Sequence, residues 1–337
     1  CSIVFFRICR TRRWRRHGAG LSRARLGNIR KQLSLRYIGD PRARLRVMLT
    51  ALITGTSTGI GRATALELAR SGLTVWASMR DTSMGASLES VASNENLDLR
   101  VLQLDVEDDD SVNTAFQQVG DVDVLINNAG LSPIGSVEEF QLDAWKQLFE
   151  TNVFGLIRCT QAALPSMRDK GFGHIINISS VAGRVAIPMF GPYSSSKWAV
   201  EALTETLACE ASIFGIHVSL VEPGAVATPI REKTGRPNRD SPYRPVAKNW
   251  GFSVGYDHAF PSKPEDVAAC IGQVIRDPSP PLRVTVGRGV QQMVDLRSSH
   301  NDEEWIDLWS SETSNFLSAW ESLTGDDLTD LSAKPDS

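Results

Sequence analysis

The stretch LTALITGTSTGIGRATALELARSG, residues 49–72, changes its period once, and that change decides the fold. Its opening run, LTALIT, has the length and apolar character of a buried strand. Three glycines follow, and apolar residues then recur at helical spacing until Gly72. Glycine just past the last periodic residue is how a helix stops, because it tolerates the left-handed conformation. Within TGTSTGIG, residues 54–61, Gly55 permits a tight turn, Gly59 lets another group approach the backbone, and Gly61 lets helix and strand pack closely. The helix that opens there presents unpaired N–H groups suited to a pyrophosphate. A glycine-rich turn is a weak signal alone; its place between a strand and a helix strengthens it.

Outward from this unit the alternation repeats. LTVWASM, LDLRVLQLDV, VDVLINNAG, GHIINISS, IHVSLVEPG and LRVTVG read as further strands. Helical patterns fall between them, notably at 108–119, 138–170, 191–213 and 264–276. Strands alternating with helices predict an α/β fold: a Rossmann-like, doubly wound parallel sheet of about seven strands with helices on both faces. Ligands then bind at the carboxyl ends of the strands, where the unusual residues of this sequence cluster.

The chain has 337 residues, 42% hydrophobic and 22% charged, as in a soluble globular protein. No run approaches the roughly 18–20 apolar residues of a membrane helix. The cysteines, Cys1, Cys9, Cys159, Cys209 and Cys270, form no CxxC pair, which predicts reduced thiols and a cytoplasmic setting. The five histidines are scattered without metal-ligand spacing, so no protein-bound catalytic metal is expected.

A net charge of −3 hides an asymmetry. Residues 1–47 hold 14 Lys+Arg and one acid, Asp40, whereas the remainder holds 22 basic and 38 acidic residues. Met48 is the first methionine. The leader reads as upstream sequence ahead of a start at Met48, as an Arg-rich targeting peptide, or as a segment for an acidic partner such as nucleic acid, in that order. Its charge density predicts disorder or a non-native origin. The expected organisation is therefore 1–47 leader, 48–295 nucleotide-binding domain, and 296–337 helical extension and tail. In that extension Trp305, Leu308, Trp309, Phe316, Leu317, Trp320 and Leu323 sit at helical spacing, as for a helix packing on its own domain, and the tail DDLTDLSAKPDS, residues 326–337, reads as frayed.

GPYSSSKWAVEAL, residues 191–203, places Tyr193 and Lys197 four apart on a helix. The pair reads as a solvated contact, as a packed tyrosine, or as chemistry. Ionising a free phenol at pH 7 costs about 4 kcal/mol, and a fixed cation lowers that cost.

Taken together these residues resemble the short-chain dehydrogenase/reductase family. Thr54-Gly55-x-x-x-Gly59-x-Gly61 is similar to its fingerprint, with Ser57, Thr58 and Ile60 in the same turn. Asp105-Val106 resembles its adenine contact, and NNAG, with Asn128, Ala129 and Gly130, the motif lining the cofactor cleft. Asn152, Ser180, Tyr193 and Lys197 match its catalytic tetrad, and PGAVAT, with Pro223, Gly224, Val226 and Thr228, resembles the loop that grips the nicotinamide amide. The match runs over about 48–290, and the specificity lies in the order of the motifs. The resemblance implies that Tyr193 exchanges a proton with the substrate oxygen, Ser180 hydrogen-bonds that oxygen, Lys197 lowers the phenol's pKa and bonds the nicotinamide ribose, and Asn152 positions a water.

Cofactor choice is read at VWASMRDTS. An acid there suits the ribose of NAD(H); a base suits the 2′-phosphate of NADP(H). By resemblance the acidic position is Met79 and the next residue is Arg80, which favours NADP(H). Asp81 keeps NAD(H) open. Residues 231–263 follow PGAVAT and read as a long lid loop, with Met189, Phe190, Trp250, Phe252 and Tyr256 lining an apolar pocket and Arg231, Lys233, Arg236 and Arg239 on a solvated face. The expectation is an oxidoreductase for a small apolar carbonyl or secondary alcohol, with no nucleic-acid partner and no membrane span, and, by resemblance, a homodimer or homotetramer. A non-catalytic nucleotide sensor on this fold is the competing class, against which the intact tetrad argues.

Overall fold

A computed structural model describes residues 48–230 and 240–329. The leader 1–47 and the basic residues Arg231, Lys233, Arg236 and Arg239 lie outside them. Residues 49–72 form strand β1 (Thr50–Ile53) and helix α1 (Gly59–Arg70). The chain continues through β2 (Thr74–Met79), α2 (Ala86–Asn94), β3 (Leu99–Gln103), α3 (Asp109–Val119), β4 (Val124–Asn127), α4 (Leu142–Phe149) and α5 (Gly155–Lys170). Next come β5 (Gly173–Ile178), α6 (Gly191–Ser212), β6 (Ile216–Pro223), α7 (Arg244–Ala259), α8 (Pro264–Arg276) and β7 (Arg283–Val286). Helices α9 (Val290–Ser299), α10 (Asp302–Ser310) and α11 (Thr313–Thr324) follow.

The seven strands form one sheet in the order β3-β2-β1-β4-β5-β6-β7, parallel throughout. Leu52 stands beside Leu125 and Ile53 beside Ile126, so the central strands register apolar against apolar. They bury both faces, which is why they read as continuous apolar runs rather than alternating ones. Ala51, Ile53, Val124 and Ile126 point into the core beneath α1, α2 and α8, while Leu52, Leu125 and Ile175 point into the core beneath α3, α5 and α6. The strand order reverses between β1 and β4, and a crevice opens at that switch point.

A third apolar cluster joins α7 to α9–α11 through Trp250, Val254, Trp305, Trp309, Phe316 and Trp320. Trp309 meets Phe316 at 5.2 Å and Trp320 at 5.6 Å between ring centroids. Rings at such separations add about 0.5–1.5 kcal/mol per pair beyond area burial. The boundary expected at 295 falls inside α9.

Two expectations need correction. The segment 231–263 is not a loop throughout, because residues 244–259 form α7, begun by Pro245 in its first turn where a missing N–H costs nothing. The tail is not frayed at its start. Leu328 is buried, and Asp326 accepts hydrogen bonds from Tyr256 Oη and Arg288 Nη2, both at 2.9 Å.

Candidate active site

The crevice is a cleft of about 1260 Å3, larger than the roughly 300–1000 Å3 of a pocket for one small molecule, so it has room for a cofactor and a substrate together. Its floor is the turn after β1. Gly55 and Gly59 have φ of +71° and +59°, and a Cβ on Gly55 would stand 2.9 Å from Ala129 Cα. A Cβ on Gly61 would stand 2.4 Å from Gly55 O and 2.5 Å from Asn128 Nδ2. The Asn128 amide donates to Thr54 O at 2.8 Å and Gly55 O at 3.0 Å, so NNAG is the brace of the glycine turn. Thr58, the N-cap of α1, makes no side-chain cap bond, which leaves the first N–H groups of the helix facing the cleft. This is the donor set and the cradle that a dinucleotide pyrophosphate needs.

Ser57, Thr58, Ile60, Arg80, Asp105, Val106, Asn128, Ala129 and Gly130 line one part of the cleft; Ser180, Tyr193, Lys197, Pro223, Gly224, Val226 and Thr228 line another. Gly61 and Asn152 stand behind the wall. Of the predicted apolar lining, Phe190, Trp250 and Tyr256 face the cleft, whereas Met189 and Phe252 pack into the third cluster. Met189 adopts φ +63°, rare for a residue with a side chain, and its carbonyl accepts from Gly135 N at 2.9 Å.

Ser180 follows β5 and caps a short 3-10 turn, accepting from Ala182 N at 3.2 Å and donating to Pro223 O at 3.4 Å, with its hydroxyl near the Tyr193 phenol. Lys197 is buried and donates to Ile178 O at 2.8 Å, with its ammonium 5.8 Å from the centre of the Tyr193 ring. Desolvation brings Lys197 down to about 8, opposed by the charge of Glu201. The phenol is not held below its ordinary range here. Burial raises Tyr193 above its ordinary range, and the nearby Ser180 hydroxyl opposes that rise.

Asn152 lies in a π-helical turn, Glu150–Phe154, between α4 and α5. Such bulges often mark functional sites. Its Oδ1 accepts from Leu131 N at 2.8 Å, and its Nδ2 donates to Leu131 O at 2.9 Å and Ser196 Oγ at 3.0 Å. The side chain therefore clamps the NNAG loop against α6. A Cβ on Gly130 would meet Asn152 Oδ1 at 3.4 Å and Lys197 Nζ at 3.9 Å, so the three residues converge.

The short chain dehydrogenase family pattern matches residues 49–239. The chain belongs to the short-chain dehydrogenase/reductase family. Bovine retinol dehydrogenase 8 is 38% identical over 255 residues, covering 69% of this chain and 80% of that protein. Estradiol 17-beta-dehydrogenase 1 of Rattus norvegicus is 37% identical over 248 residues, covering 69% and 72%. The crystal structure of a short-chain dehydrogenase from Streptomyces avermitilis superposes with a TM-score of 0.68 at 31% identity, over 83% of this chain and 98% of that one. The protein is thus an oxidoreductase that acts on alcohol or carbonyl substrates with a nicotinamide cofactor.

As a short-chain dehydrogenase/reductase it carries one feature that sequence reasoning missed. Asp257, Arg288 and Asp326 line the cleft with Tyr256. Arg288 donates to Tyr256 Oη at 2.9 Å and lies 5.2 Å from its ring centre. Asp257 is exposed on the cleft wall, and the protein around it, then the Asp326 charge, shift its carboxyl upward, with Arg288 opposing. No spacing rule joins positions 31 and 69 residues apart, so no sequence signal could have assembled them.

Proposed function

We propose that the protein is an NADP(H)-preferring dehydrogenase/reductase for an apolar alcohol and its carbonyl, with Tyr193 as general acid/base. The observation that carries the cofactor choice is at the end of β2. Arg80 is exposed on the cleft wall and forms no ion pair among the described residues. Asp81 is spent: its carboxylate accepts from Ser83 N at 3.0 Å, and the Ser83 bonds hold it below the usual carboxylate range. A free guanidinium fork suits a 2′-phosphate; a carboxylate already capping a turn suits a ribose poorly.

When bound, the nicotinamide supplies or accepts the hydride. Tyr193 gives a proton to the substrate oxygen in reduction and takes it in oxidation. The Ser180 hydroxyl, beside the phenol, would hydrogen-bond that oxygen and orient it towards Tyr193. Lys197 holds the ribose, and its charge favours the phenolate. The substrate compartment is apolar, walled by Ile134, Val185, Phe190, Trp250, Val254 and Met293. That wall, together with what the retinol and estradiol dehydrogenases act on by name, favours a retinoid- or steroid-sized molecule. Phe154 and Trp198 are about half exposed on the outer side of the fold, which supports a homodimer or homotetramer. Among the described residues no helix is long and apolar enough to cross a membrane, and a cytoplasmic enzyme is part of this reading.

The test is a tryptophan-fluorescence titration with NADPH and with NADH, followed by oxidation assays on retinol and estradiol. Tighter NADPH binding is expected. Arg80→Glu should weaken it by tenfold or more, since a hydrogen bond to a charged group contributes about 1.5–3 kcal/mol. Preference for NADH by the unaltered protein would overturn the cofactor choice.

A further inference from the structure

Five charged side chains tie together the elements that carry Ser180, Lys197 and the Pro223–Thr228 loop, and none touches the reacting atoms. Glu222, fully buried, is the next-to-last residue of β6, directly before Pro223, and pairs with Arg184 at 3.2 Å and Arg283 at 3.5 Å. Arg184 ends the turn that Ser180 caps. Arg283 opens β7 and donates to Glu201 at 2.9 Å and Glu205 at 2.6 Å. Glu201 lies on α6 one turn beyond Lys197. It is 5% exposed, and its Oε1 has no hydrogen-bond partner among the described residues. A Cβ on Gly183 would stand 3.0 Å from Glu201 Cγ and 3.2 Å from Lys197 O, so the carboxylate is wedged between the Ser180 turn and α6. Three carboxylates thus face two guanidiniums. Lys197 makes no ion pair with Glu201 among the described residues, but it is the buried cation one helical turn away on the same face of α6, and the Glu201 charge attracts it.

We propose that Glu201 is a positioning residue for the reaction, the counter-charge that keeps Lys197 an ammonium ion beside Tyr193. The proposal rests on the reading of Tyr193 and Lys197 given above. A buried ammonium loses its proton easily unless an anion stands near, and a buried carboxylate with an unbonded oxygen is costly unless a cation does. One turn of α6 answers both needs. Tyr193 and Glu201 are the titratable neighbours of Lys197 on its own helix. Glu201 is in turn faced by Arg283 from β7, Glu222 from β6, Glu205 from α6, and Arg184 behind the Ser180 turn.

The test follows the Lys197 proton in the full chain. Labelling of Lys197 by acetic anhydride, read by mass spectrometry from pH 6 to 10, reports the free amine, and its half-point in the unaltered protein is expected near 8. In Glu201→Gln the half-point moves down. Each unit of displacement enriches the free amine up to about tenfold at a fixed alkaline pH. Retinol oxidation by that variant then falls behind the unaltered protein by several-fold at pH 8.5 and matches it near pH 6. Glu201→Asp, which keeps the charge, restores the profile. Arg283→Gln releases Glu201 from its ion pair and moves the half-point up; it gives the opposite sign should Glu201→Gln not fold. Unmoved half-points in these variants, or a loss of activity equal at every pH, would overturn the role of Glu201 and leave a structural ion pair. Tyr193→Phe and Lys197→Met run alongside. Full activity in either would overturn the reading of the site and this proposal with it, whereas their inactivity beside unmoved half-points overturns the proposal alone.

Discussion

Tyr193 and Ser180 show what one residue contributes that its neighbours cannot. The phenol is half-buried beside a buried lysine, and burial holds it protonated. In the proposed reaction a phenol kept protonated is suited to reduction, and the nearby Ser180 hydroxyl favours release of its proton. Tyr193→Phe keeps the ring and its 5.7 Å contact with Phe190 but removes the proton. It should lower kcat for retinol or estradiol by about 10²- to 10⁴-fold, the usual share of general acid–base catalysis, and leave NADPH affinity within about twofold. Stopped-flow turnover and a fluorescence titration on the same sample separate the two quantities. Equal losses in both would mean that Tyr193 holds the cofactor rather than moving a proton. The residue types were legible in the sequence because the chemistry restricts them: few side chains besides tyrosine beside lysine fit the pair, and the glycines are demanded by backbone clearance. The direction of the Tyr193 shift was not legible. It depends on how much protein surrounds both groups, which spacing along α6 does not encode.

Among the elements, strands and the helices between them could be read because each has a single period. β5 and β6 are rich in Ile, Val and Leu and are bounded by glycine and proline, and α8 carries Val267, Ile271 and Val274 on one buried face. Helix α7 was hidden. Its sequence, RPVAKNWGFSVGYDHA, mixes Pro245, Gly251 and Gly255 with aromatics and has no clear apolar stripe. Tertiary contacts make it a helix, through Trp250 and Val254 seated in the third cluster. Gly251 and Gly255 both face open space, and a Cβ on either meets nothing within 4 Å. Glycine inside a helix costs about 0.5–1 kcal/mol relative to alanine. Gly251→Ala and Gly255→Ala should therefore each stabilise the protein by about that amount, read as a raised urea midpoint with an unchanged slope. A lowered midpoint would show that one of these glycines has a neighbour or a conformation that alanine cannot accept. The same pair tests the lid: kcat falling as stability rises would mean that turnover needs α7 to loosen.

At the scale of the whole molecule, the parallel sheet makes the protein sensitive to acid through a site far from the chemistry. His174 on β5 registers beside His217 on β6, with ring centres 5.8 Å apart, and its Nε2 shares a hydrogen bond with Ser219 Oγ at 3.2 Å. Burial, and then the charge of His217, depresses His174 to about 3. His217 is itself lowered by burial, with Asp277 opposing. The unfolded chain takes up a proton on His174 as pH falls through about 6.5, while the folded chain refuses it until about 3. Stability is thus fully present above about pH 6.5 and declines as the medium becomes more acidic, at a slope approaching about 1.4 kcal/mol per pH unit for one proton. The raised carboxyl of Asp257 titrates in the interval from about 7.5 to 5 as well, with the opposite sign, so the difference between the unaltered protein and a His174 variant isolates the histidine. Urea unfolding across that interval should show the decline in the unaltered protein and a flatter profile in His174→Asn, whatever stability that variant loses at pH 7.5 by giving up the Ser219 bond. Parallel profiles would mean that His174 is protonated within the sheet, and that the β5–β6 junction admits the water which this burial excludes.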